Sequence, residues 1–492
     1  MKKLLFIAAA TLTLASCSQN GEFEEAQKAK DLGDPISFGV YTGRSAIVKA
    51  AASGGTTGSL TTDVLKGPDY GFGVFAYYTG AKKWAEAGAT ATPDYMWNER
   101  VYFSSSEWKY DLVKYWPNDN TTADDKGATA EAGGTGNKIS FFAYAPYTPA
   151  KTTGEVSGTT TGITKLPKND AAGDPVVEYT LASDGNIVDL LWGTVATDTK
   201  YSSINGTDDI TPNTVAGGKG PVNIDIWKLK LGQKIAFNFK HALAKFGGSV
   251  SEDSSDDKDN STTGLQIVLD VDQLTAGGTY DPNQTKVTVK SISIENKGDE
   301  DLGGDKNSSG KSVIYNTGKL DLATGVFTTD KTGTTTTINH TIVQDGVTGS
   351  AILNKSIAEP GSVSAWSDLS GVEGVLADKN KNVYEKETNP LVFLPGTKPS
   401  FKITIEYIIR TEDTKLKKGY SEAIQKITKK VALENEVESN KKYNLIIHLG
   451  LTSIKFEATV QDWEDAKIED PANPGSDLTV PDVEVHLPIN VN

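Results

Sequence analysis

Few side chains in this chain are suited to chemistry. Cysteine occurs once, at Cys17, so neither an intrachain disulfide nor a cysteine-based zinc site can form. Histidine occurs four times, at His241, His340, His448 and His486, with no two close in sequence. His-x-x-x-His pairs, Gly-x-Ser-x-Gly elbows and Cys–His dyads are absent, which removes the commonest zinc-site and hydrolase signatures. Carboxylates alone can hydrolyse glycosides, but 64 acidic residues single out no pair. Gly304 to Ser312 imitates a phosphate loop, yet five residues separate Gly304 from Gly310 where the motif needs four, and its flanks read as strands, so a hairpin loop is expected. Acidic clusters at 252–259 and 299–305 lack the spacing of a calcium loop and read as solvated turns. Eight Trp and eighteen Tyr permit sugar stacking, although core and surface aromatics account for them more simply. No enzyme activity, cofactor or metal is expected.

Cys17 has another role open to it. Lys2 and Lys3 precede an apolar stretch from Leu4 to Ala15, too short for a resident membrane helix and suited to a secretory signal. It ends in Leu14-Ala15-Ser16-Cys17, which resembles the bacterial lipobox, so residues 1–17 are expected to be a lipoprotein signal with Cys17 acylated. Two or more acyl chains would hold the protein on a membrane far longer than one. Residues 18–34 are polar, with Glu22, Glu24 and Glu25, and read as a tether.

The two ends of the chain carry the most informative patterns. Val483, Val485, Leu487, Ile489 and Val491 alternate with Glu484, His486, Pro488, Asn490 and Asn492, so one face of a strand is apolar. The acidic tract Glu464 to Asp477, with Pro471, Pro474 and Gly475, reads as a leash before it. Burying five such side chains, at about 1.5–3 kcal/mol each, contributes roughly 8–15 kcal/mol before ordering costs. The alternative is an ordinary last strand folded onto its own domain, and Pro488, lacking an N–H, argues against a continuous ladder. Near the other end, Ile36, Phe38 and Val40 alternate with polar or small residues, and Arg44 follows at once. Arginine is rare, occurring only as Arg44, Arg100 and Arg410. An Arg-specific protease cutting between Arg44 and Ser45 would release anchor and strand together. The groove vacated by Ile36, Phe38 and Val40 would then accept the C-terminal strand of another copy by β-strand addition. Such a head-to-tail contact does not close on itself and builds a fibre.

Period-two alternation dominates the intervening chain, so the fold class expected is all-β with very little helix. Strands are expected at Ile36–Tyr41, Phe72–Tyr78, Trp108–Trp116, Ile139–Ala145, Val222–Leu229, Leu265–Val271, Thr285–Ile294 and Phe401–Ile409, and the best helical stretch is Ala242–Phe246. Patterning lapses in the Gly/Pro/Thr-rich run Asn205–Pro221, which divides the body into domains at 45–220 and 221–465, between a tether and removable strand at 18–44 and a linker and donor strand at 466–492. A net charge of −15 argues against nucleic-acid binding. The apolar share of 37%, with 48 Gly and 19 Pro, suits β-sandwiches with long loops.

The segments Trp108-Lys109-Tyr110, Lys114-Tyr115-Trp116-Pro117, Ile139 to Pro146, Phe237 to Phe246 and Asp462-Trp463 resemble the fimbrillin family of Bacteroidetes, the subunits of type V pili. The likeness extends over most of 35–465. It implies two transthyretin-like β-sandwich domains in tandem with an appended C-terminal donor strand, export as an outer-membrane lipoprotein, and Arg-specific proteolysis at Arg44. It also implies strand exchange with other copies or related subunits in an extracellular fimbria. A surface lipoprotein adhesin or carbohydrate-binding protein that does not polymerise is the alternative. This chain is long for a stalk subunit, with enlarged loops near 121–137 and 251–264.

Overall fold

The computed structural model describes residues 35–41, 62–80, 82–116, 138–157, 161–182, 187–195, 214–215, 218–219, 224–225, 235–247, 264–270, 281–377, 379–387, 389–450, 454–462, 468–469, 477–478, 485–487 and 489–491. Among them the architecture is almost wholly β, built as packed sheets. Helix is confined to short turns at Thr62–Leu65 and Trp84–Ala87 and a 3₁₀ turn at Trp366–Leu369.

The first sheet has seven strands in the order Phe38–Tyr41, Ile235–His241, Leu191–Val195, Lys138–Ala145, Phe72–Gly80, Met96–Ser104 and Glu107–Lys109. Every pair is antiparallel except the first. Its central strands are buried on both faces, which is why Lys138–Ala145 reads as a nearly continuous apolar run. Ile139, Phe141, Ala143 and Ala145 face one core, together with Phe72 and Val74. Phe142 and Tyr144 face another, with Phe75 and Tyr77.

The second half is a sandwich. One sheet centres on Lys441–Leu449, which pairs in parallel with both Ala244–Phe246 and Leu265–Leu269 on one side and antiparallel with Ile454–Asp462 on the other. The facing sheet runs Tyr384–Glu387, Ala351–Leu353, Ile338–Val343, Thr285–Asn296, Ser400–Glu412, Tyr420–Leu433 and Ile489–Val491. Between them lies a core that includes Phe246, Leu265, Ile294, Phe401, Ile405 and Leu445.

Two expectations change. Ala242–Phe246 is not helical: Ala244 and Phe246 are buried and the segment pairs with Lys441–Tyr443, so burial against the second core overrides a local preference for helix. Trp108–Trp116 is a strand only at Glu107–Lys109; the remainder is a loop that turns Tyr110 and Trp116 into the first core. The first sheet also keeps Ile235–His241, while Ala244–Phe246 belongs to the second sandwich.

The two halves also share structure. Thr317–Asp321 pairs antiparallel with Val176–Thr180, in a four-stranded sheet completed by Phe327–Thr329 and Ile163–Lys165. Trp192 donates its indole N–H to the Leu322 carbonyl at 3.0 Å, beside the turn at Gly325 (φ 73°). A Cβ on Gly325 would lie 2.2 Å from the Trp192 ring, so glycine serves here for both backbone conformation and close approach.

Candidate strand-exchange site

Phe38–Tyr41 is the edge strand of the first sheet. It runs parallel to Ile235–Asn238, with Phe38 beside Ile235 and Tyr41 beside Asn238. Alternation at Ile36 and Phe38 turns both side chains inward, and each is only 1% exposed. The Phe38 ring lies 5.4 Å from Tyr110, 5.9 Å from Phe141 and 6.1 Å from Phe237, centroid to centroid, so three other segments wall its slot. Trp116 closes the same core, 5.9 Å from Phe141. Edge-to-face and offset aromatic contacts add to the area such rings bury.

The loop after Glu107–Lys109 holds the other side of this segment. Ile36 N–H donates to the Lys114 carbonyl at 2.9 Å, and Pro35 bridges to Tyr115. Tyr110 donates its hydroxyl to the Ile36 carbonyl at 2.7 Å and accepts the Lys114 N–H at 3.1 Å. Burial pushes the Tyr110 hydroxyl up to about 12, so it stays a donor throughout the physiological range. Ile36 is thus bonded to the loop, while Ser37 accepts the Ile235 N–H at 2.8 Å on the sheet side. The chain from Pro35 to Tyr41 plugs a slot with walls on both sides.

At the other end, the expected donor strand is split in two. Val485–Leu487 pairs antiparallel with Ala458–Val460 of one sheet, and Ile489–Val491 pairs antiparallel with Val431–Leu433 of the facing one. In sequence the two pieces flank Pro488, which lacks the N–H that a ladder needs and itself lies outside the described residues. The end of the chain therefore runs along the seam between the two sheets of its own sandwich, which is the folded-back arrangement. Val483 lies outside the described residues, as do Cys17, Arg44 and Ser45.

The other two arginines are both committed to structure. Arg100 sits within Met96–Ser104 and bonds the Tyr70 and Pro68 carbonyls. Arg410 sits within Ser400–Glu412, its side chain 6% exposed, holding Glu359 through two bonds of 2.9 and 2.8 Å and Glu422 through one of 2.6 Å. Thr288 donates its hydroxyl to the same Glu359. A protease needs an extended, accessible backbone, and a residue locked in a sheet ladder offers none.

The chemistry set aside from sequence has structural substitutes. Lys306 and Ser312 bridge across the turn at 307–310, a hairpin rather than a helix entrance. Glu300 meets Lys402 at 2.5 Å and Lys430 at 3.2 Å, and these lysines hold its carboxyl below the usual range. Asp301 meets Lys306 at 2.7 Å. Among the described residues no group of His, Cys, Asp and Glu is arranged to hold a metal ion. The 252–259 cluster lies outside them. Among the described residues no helix is long and apolar enough to cross a membrane.

Sequence reasoning missed Tyr110 and Lys114 as the clasp on Ile36. Both fall in segments that carried the family resemblance, so the signal was present without its geometric meaning.

Compared with known proteins, the chain is 34% identical over 189 residues to the fimbrium subunit Fim1C of Phocaeicola vulgatus, a stretch covering 38% of this chain and 41% of that one. The chain thus spans about two fifths of the length of the curated relative it matches. The crystal structure of a fimbrial protein from Bacteroides vulgatus superposes over 88% of this chain and 100% of that one, with a TM-score of 0.53 and 20% identity. The fold is that of a fimbrial protein. The resemblance to Bacteroidetes fimbrillins therefore holds in sequence over part of the chain and in fold over most of it. No family model matches the chain.

Proposed function

We propose that this protein is a structural subunit of a cell-surface fimbria that polymerises by proteolysis-triggered strand exchange. The observation that carries the proposal is the plug: Ile36 and Phe38 fill a walled slot from an edge strand, just before Arg44. Cleavage between Arg44 and Ser45 turns that strand from a covalent part of its domain into a peptide that dilutes away once it leaves. The vacated slot is apolar and offers the backbone of Ile235–Asn238 as a template. The apolar strand formed by Val483, Val485, Leu487, Ile489 and Val491 of another copy is the donor. In the precursor its described pieces, Val485–Leu487 and Ile489–Val491, pair with the two sheets of their own sandwich. Each of these pairings spans three residues, so leaving them costs little backbone bonding.

Export follows the lipoprotein route, with Cys17 acylated and the precursor held at the outer membrane until an Arg-specific protease frees it into the fibre. Other copies or related subunits are the head-to-tail partners. The kinship with a fimbrium subunit supports this reading.

Chain beginning at Ser45 forms a ladder of oligomers that resists mild denaturant, whereas the same chain ending at Asp477 stays monomeric. Equal oligomerisation of the two removes the donor role. A second reading, a lipoprotein adhesin that does not polymerise, is favoured by the folded-back C-terminal strand. Glycan binding by a chain that remains monomeric after cleavage at Arg44 selects it.

A further inference from the structure

Among the described residues, one long edge of the second sandwich is left open. Tyr420–Leu433 pairs along nearly its whole length with Ser400–Glu412, but on its other side, among the described residues, only Val431–Leu433 meets a strand, Ile489–Val491. Among the described residues no strand pairs with the outer edge from Tyr420 to Lys430. Residues 421–424 are exposed, and Ile424, at 60%, is among the most exposed large apolar side chains described. An open edge of this length is a template for another chain unless something opposes it.

A second copy adding antiparallel to this edge must be related by a two-fold axis normal to the sheet. That symmetry keeps each side chain on its own face, so even-numbered residues lie opposite even-numbered ones and odd opposite odd. With Ile424 on the axis, Ile424 meets Ile424, and Glu422 of each copy lies opposite Lys426 of the other, twice. On the opposite face Ala423 meets Gln425 and Ser421 meets Ile427. Moving the axis to Gln425 sets Glu422 against Thr428, and moving it to Lys426 sets like charges face to face, which opposes pairing. The favoured register spans Tyr420–Thr428 and stops short of Val431, where Val491 already occupies the neighbouring lane. Arg410 binds Glu422 through Oε2 and holds that carboxylate in place on its own strand.

We propose that the Tyr420–Thr428 edge is a two-fold docking surface for a second copy of this chain, a side-by-side contact separate from head-to-tail exchange. In a Cys17→Ala background the full chain has no thiol, so Ile424→Cys introduces one at the axis, where facing Cβ atoms come within reach of a disulfide. Mild oxidation is expected to give a covalent dimer on a non-reducing gel, and Lys426→Glu added to it lowers the yield several-fold. Thr428→Cys in the same background stays uncrosslinked, because its thiols lie at opposite ends of the paired strands. Monomer alone from oxidised Ile424→Cys, or as much dimer from Thr428→Cys, overturns the proposal. Neither outcome depends on Arg44 cleavage, so the strand-exchange reading stands or falls separately.

Discussion

Phe38 shows most clearly how one side chain ties the amino-terminal segment to the fold. Its ring lies between Tyr110, Phe141 and Phe237, and truncating a buried Phe costs about 3–5 kcal/mol. Phe38→Ala is therefore expected to lower the stability of uncleaved protein by that order, read from urea midpoints, and to speed loss of the amino-terminal peptide after cleavage. Tyr110 adds a pH dependence. Its hydroxyl titrates near 12 in the folded protein against an ordinary value of 10. Between pH 10 and 12 the unfolded chain thus gives up a proton that the folded one keeps, and stability falls as pH rises through that window. The Tyr110 contribution to the urea midpoint should be constant below pH 10 and lost above it, so Tyr110→Phe should show a shallower alkaline decline than the parent. Arg410 carries a larger penalty: removing it leaves the largely covered Glu359 without its bidentate partner, and breaking a buried pair costs about 3–5 kcal/mol. Arg410→Ala should accordingly lose far more stability than Arg100→Ala, whose partners are backbone carbonyls near the surface. Inward-facing Ile36 and Phe38 were legible from alternation alone. The clasp by Tyr110 and Lys114 was not, because a loop's path decides which carbonyl a hydroxyl meets.

At the scale of elements, strands with one wet face or two buried faces were readable, and those defined by a distant partner were not. Thr285–Asn296 and Ser400–Glu412 follow the patterns expected of them, with the observed strands longer by a few residues. Ala244–Phe246 is three residues long and exists because Lys441–Tyr443 and Leu391–Phe393 flank it. No window of local sequence encodes that. The C-terminal strand was legible as amphipathic, and Pro488 as its weak point; that the residues on either side pair with different sheets needed the structure. Replacing Pro488 with Val should allow a less interrupted ladder on the chain's own sandwich. The expected outcome is slower oligomerisation of cleaved protein, followed by light scattering, with little change in the final ladder.

Across the whole molecule, the all-β class followed from composition and period, while the joining of the two halves did not. A sheet made from 163–180 and 317–329, and a core shared by Phe142, Tyr179, Leu320, Phe327 and Leu394, couple segments far apart in sequence. Heating is therefore expected to unfold both halves in one calorimetric transition, and Leu320→Ala to broaden or split it. The central claim, however, is that a covalent strand guards a slot that another copy later fills. The direct measurement is to treat purified Cys17→Ala protein with an Arg-specific protease and follow, over time, both the bound amino-terminal peptide and the mass distribution by native mass spectrometry. The account predicts that oligomers grow as the peptide ending at Arg44 is lost, one peptide per new contact, and that Arg44→Ala protein stays monomeric. Oligomers that form with the peptide still bound, or equally from Arg44→Ala protein, would contradict it.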